Sequence, residues 1–116
     1  MKSVTIQLDR PRRLRFDYNA LSDVEEKAGM GIGAILSEQR IGFAMTRVLL
    51  WGGLKWEDRK LTLEKVGELL QAYFQGGGSW DDIIATIFQA VNASGLFSPV
   101  TVEADEKNGE TEAATN

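Results

Sequence analysis

Neither cysteine nor histidine occurs among the 116 residues. Without cysteine there is no disulfide, no thiolate nucleophile and no sulfur ligand for a metal. Without histidine the usual general base, the usual zinc ligand and both common catalytic triads are excluded. Carboxylates remain for calcium, magnesium or acid–base work, but no EF-hand spacing is present. Long apolar runs are also missing. Nothing approaches the roughly 20 apolar residues that span a bilayer, and "MKSVTIQLDR" lacks the apolar core and cleavage site of a signal peptide. A cytoplasmic protein with no membrane partner is therefore expected. There are only two prolines, Pro11 and Pro99, so little punctuates the interior except the 12 glycines.

The net charge of −4 is unevenly placed. Residues 99–116 carry five acids against Lys107, which accounts for all of it, and residues 1–98 balance. "TVEADEKNGETEAATN" has no apolar periodicity and is expected to be a disordered acidic tail. One globular domain over 1–98 followed by a tail over 99–116 is the organisation this implies.

Along the body, "SVTIQL" (3–8) alternates with Val4, Ile6 and Leu8 on one face, and "RLRFD" (13–17) alternates with Leu14 and Phe16. The "DRPR" between them, with Pro11 pre-setting a turn, predicts a hairpin with one apolar face. A first helix is expected over 19–28, capped by Asp17 or Asn19 and closed by Gly29. In "GMGIGAILSEQRIG" (29–42), one or two helical turns at 34–38 are compatible with a linking loop. The glycines lack the leading strand, third glycine and lysine of a phosphate cradle. Residues 41–54 read as a helix apolar nearly all round, Phe43 and Trp51 included, that ends at Gly52-Gly53. Thr62 caps a fourth helix whose Val66, Leu69, Leu70, Tyr73 and Phe74 share one face. After "QGGGS", Ser79 caps a fifth with Ile83, Ile84, Ile87, Phe88 and Val91. The expected fold is α+β, mostly α: an N-terminal β-hairpin packed on a bundle of four to five helices.

Few residues suggest a site. Arg10, Arg12, Arg13 and Arg15 resemble a phosphate-binding patch, but strand alternation gives them ordinary surface positions and the neutral body provides no attracting field. Neighbouring acids such as Asp81 and Asp82 diverge by about 100° on a helix and suit capping better than catalysis. Trp51 is expected in the core. Trp56 and Trp80 lie at element edges and, with Arg13 and Arg15, are the candidate protein-contact residues. No catalytic, cofactor or metal residue is expected.

The strings "LDRPRRLRFDYNALSDVEEKAG" and "TRVLLWGGLKWEDRKLTLEKVGELL", followed by a further amphipathic helix, resemble the tail assembly chaperone family of long-tailed phages. The similarity spans roughly residues 4–95 and is strongest to the branch related to gene transfer agents, often labelled tail-tube or minor tail protein. It implies a non-enzymatic protein of the bacterial host cytoplasm. Such proteins bind the tape-measure protein and assist polymerisation of the tail-tube protein around it. Apolar surface in excess of what a small monomer buries implies a groove or self-association. A structural tail-tube or minor tail component is the alternative, although such subunits are generally β-rich. A small nucleic-acid-binding regulator built on the arginines is a second alternative.

Overall fold

The computed structural model describes residues 2–37 and 41–97, so the acidic tail lies outside the described residues. Two antiparallel strands, β1 (Val4–Gln7) and β2 (Pro11–Leu14), precede five helices. The helices are α1 (Tyr18–Ala28), α2 (Ile32–Ser37), α3 (Phe43–Leu54), α4 (Leu63–Gln75) and α5 (Trp80–Ala93). The chain is thus α+β and mostly α, a two-stranded hairpin on five helices.

The hairpin register pairs Val4 with Leu14, Ile6 with Arg12 and Gln7 with Pro11. The turn is therefore Leu8-Asp9-Arg10, and Pro11 opens the second strand instead of making the turn. A missing N–H costs nothing at the first residue of an exposed strand. β2 also ends at Leu14, earlier than the alternation to Asp17 implied, because the backbone N–H of Arg15 turns to donate to the Gly53 carbonyl of α3 at 2.9 Å. Leu14 and Phe16 are fully buried, each contributing about 2–3 kcal/mol by burial.

The helix ends follow local chemistry. The Asp17 carboxylate accepts from the Ala20 N–H at 2.7 Å, the Thr62 hydroxyl from Lys65 and the Ser79 hydroxyl from Asp82. Gly29 closes α1 in the left-handed region, with φ 73°. α2 begins at Ile32, whose N–H donates to the Glu25 carboxylate at 2.7 Å. Ile32 and Ile35 anchor it to the core, so the glycine-broken stretch is more than a loop.

α3 is the centre: it touches α1, α4, α5 and β2. Gly52 and Gly53 do not end it; they lie inside it, and the helix continues to Leu54. A Cβ on Gly52 would stand 2.3 Å from Cγ2 of Val24, and one on Gly53 would stand 2.7 Å from Leu14 and 2.8 Å from Phe16. The pair lets α1 and the hairpin lie directly on the α3 backbone. The first element also meets the last, since β1 packs on α5.

Candidate functional site

The arginine-rich hairpin is mostly neutralised from within. Arg12 shares the inward face of β2 with Leu14 and is only 5% exposed, which corrects its assignment to the surface. Its guanidinium donates to both Asp9 oxygens, Nε at 2.7 Å and Nη2 at 2.9 Å, and Nη1 reaches Asp58 at 3.3 Å. The arrangement ties the turn to the α3–α4 connection. The Arg12 hydrogen bond holds the Asp9 carboxyl below its ordinary range, and Asp9 in turn raises the pKa of Arg12.

Arg13, Arg15 and Trp56, three of the four residues expected at a protein contact, form one cluster. Arg13 donates through Nε and Nη2 to Glu57 at 2.9 and 2.7 Å, and this hydrogen bonding lowers the Glu57 pKa. The guanidinium of Arg15 lies 4.3 Å from the Trp56 ring centroid and that of Arg13 lies 5.2 Å from it. The Trp56 indole N–H donates to the Arg13 carbonyl at 2.9 Å. The Arg15 Nε is buried without a hydrogen-bond partner among the described residues, and its Nη2 stands 3.8 Å from Asp17. Apart from the Arg15 Nε, these side chains are spent on one another, and they clasp the hairpin to the α3–α4 connection.

Trp80, the fourth, lies in a separate aromatic cluster. It stacks on Phe74 at 5.5 Å and receives Phe43 edge-on at 5.5 Å. Tyr73 meets Phe74 edge-on at 5.0 Å, and its hydroxyl donates to the Ser79 carbonyl. Phe43, Phe74 and Trp80 border a groove of about 440 Å³ between the start of α3, the body of α4 and the start of α5. Leu70 and Thr46 contribute to its wall, and Arg47 is its one charged lining residue among the described residues. A shallower cavity formed by Gly42, Phe43 and Trp80 adjoins it.

Phe43 is 81% exposed, contrary to the expectation that it packs inside. The cause is the wheel of α3. Residues 46, 48, 49, 50, 52, 53 and 54 are buried, leaving one open strip through Phe43, Ala44, Arg47 and the half-buried Trp51. Thr46, polar yet wholly buried, returns its hydroxyl hydrogen to the Gly42 carbonyl at 2.8 Å. The signal for the strip was present in Arg47. Phe43, four residues earlier, lies about 40° from it on the helix and shares its wet side.

A second cavity of about 340 Å³, bordered by Asp17, Asp23, Lys55, Trp56 and Arg59, is polar. Lys55 and Asp23 pair within it. Trp51 is covered on its open side by Lys27 and Lys55, and its indole N–H donates to the Leu61 carbonyl at 3.2 Å. Among the described residues no group of three or more acids is arranged to hold a metal ion, and no helix is long and apolar enough to cross a membrane. In comparisons with known proteins, no family model, no curated protein and no solved structure matches the chain.

Proposed function

We propose that this protein is a non-enzymatic tail assembly chaperone of a phage or prophage. In this reading it acts in the host cytoplasm, binds the tape-measure protein, and delivers it to the polymerising tail tube. The observation that carries the proposal is the aromatic groove. A folded domain of this size gains nothing by leaving a phenylalanine 81% exposed beside a half-buried tryptophan, unless that surface is covered by a partner. The groove runs between α3 and α4 and is bordered by the start of α5, and an amphipathic helix fits such a cleft by laying its apolar stripe against it. A tape-measure protein, long and helical, is a repeated source of such stripes. The wording of residues 8–29 and 46–70 supports the same reading through its resemblance to the chaperone family.

Nucleic-acid binding finds less support. Arg12, Arg13 and Arg15 are each ion-paired to carboxylates of the chain itself, which lowers their availability to phosphates.

Co-expression with a phage tape-measure protein tests the proposal. Soluble yield of the tape-measure protein rises with the wild-type chain and falls back with Phe43→Ala. Unchanged solubility in the presence of the wild-type chain refutes the chaperone role. Mass spectrometry of purified tails separates it from the structural alternative, for which the protein would be abundant in finished particles.

A further inference from the structure

The groove holds a charge that the fold does not answer. Arg47 lies on the open strip of α3, and its aliphatic stem crosses α4 at Gly67, where a Cβ would stand 3.6 Å from the arginine Cδ. Among the described residues the rest of the lining is uncharged. Arg12, Arg13 and Arg15 are each ion-paired, whereas Arg47 has no carboxylate partner among the described residues. An apolar ligand covering the groove would strip water from this guanidinium without replacing the lost hydrogen bonds, which is costly. A ligand that brings a carboxylate restores them in a charge-assisted pair.

From this we infer that the groove selects an amphipathic helix carrying an acidic side chain one turn from its apolar anchors. The anchors seat on Phe43, Phe74 and Trp80, and the acid meets Arg47. The spacing follows from α3 itself, because Phe43 and Arg47 are four residues apart and so about 6 Å along the axis. Polarity sets the direction. Asp81 and Asp82 follow Trp80 in the first turn of α5, so an acidic end placed there meets like charge. The acid of the ligand belongs at the Arg47 end. Gly67 is part of the device, since any long side chain there would displace the arginine stem from the floor.

The inference rests on the proposal that the groove binds a protein helix, and the test separates the two. Three helical peptides share leucines at i, i+3 and i+7 and differ only in one residue, a turn beyond one end of the stripe, which is glutamate, glutamine or lysine. Binding to the full chain is followed through the Trp80 indole N–H resonance. The glutamate peptide binds about three- to fivefold tighter than the glutamine peptide, and the lysine peptide binds weakest. Arg47→Glu reverses that order, and high salt narrows it. Phe43→Ala weakens all three alike. Both substitutions are at exposed positions, and an unchanged circular dichroism melt shows that the variants are folded. Equal affinity of the three peptides for the wild-type protein overturns the acidic preference while leaving the groove as a helix site. Failure of all three to shift the Trp80 resonance overturns both.

Discussion

Arg12 shows how one residue on the wrong side of an alternation becomes structural. Placed opposite Ile6 on the inward face, it is charged whatever surrounds it, and Asp9 and Asp58 offset the cost of burying its guanidinium. Arg12→Met removes those bonds but leaves two carboxylates that are partly open to water, so the cost is about 2 kcal/mol. Urea denaturation at neutral pH measures it. The acid response follows from the same contact. Asp9 titrates below its ordinary 3.8 in the folded chain, so its stabilising effect is fully present above that value. It is lost as pH falls through the lower folded value. The wild type therefore loses melting temperature between neutral pH and pH below 3.8, and Arg12→Met loses less over the same interval. Equal losses in the two proteins would show that the pair contributes nothing to acid sensitivity.

Among the elements, α3 departs most from what its residues suggest in isolation. Glycine in a helix interior normally costs about 0.5–1 kcal/mol relative to alanine. The same exchange at Gly52 or Gly53 must push a Cβ into Val24, or into Leu14 and Phe16. Gly52→Ala and Gly53→Ala are each expected to destabilise by about 2–3 kcal/mol. Gly67→Ala in α4 meets only ordinary contact at 3.6 Å and is expected to stabilise by about 0.5 kcal/mol. Thermal melts of the three variants give opposite signs if helix packing decides and the same sign if propensity does. The caps behave more simply. Thr62→Ala and Ser79→Ala remove the bonds to Lys65 and Asp82, for about 1 kcal/mol each.

These contrasts explain what was legible in the chain. Helix starts at Asp17, Thr62 and Ser79, and the buried faces of α4 and α5, are local or periodic signals, and residues within four positions determine them. The glycine pair, the buried Arg12 and the exposed Phe43 depend on partners between 28 and 46 positions away or on which side of α3 stays uncovered. Alternation continued one step back from Leu14 would have found Arg12, and Arg47 would have found the open strip. Nothing local distinguishes Gly52-Gly53 from a helix end, because the reason for them is Val24, Leu14 and Phe16. Of the candidate contact residues, Trp80 borders the groove, while Arg13, Arg15 and Trp56 instead clasp the hairpin.

At the level of the whole molecule, α3 is enclosed by four other elements, so its amides are expected to exchange with solvent only through global unfolding. Hydrogen exchange would place α3 in the slowest class, with α2, which meets α1 alone among the more extensive helix contacts, opening earlier. The groove lies at the edge of this arrangement, where Phe43 opens α3 and its side chain is free to meet a ligand without disturbing the centre.

The contact between β1 and α5 joins the beginning of the described chain to its end. A two-stranded hairpin is marginal by itself in water, and this one finds its cover on α3 through β2 and on the last described helix through β1. During translation, β1 therefore lacks part of its cover until Trp80–Ala93 has left the ribosome. A chain stopped before α5 is expected to be sensitive to protease throughout, rather than to leave a resistant N-terminal fragment. Pulse proteolysis of stalled nascent chains would show protection arriving in a single late step. A chain whose first strand packs on its last described helix thus completes its fold only once that helix has been made.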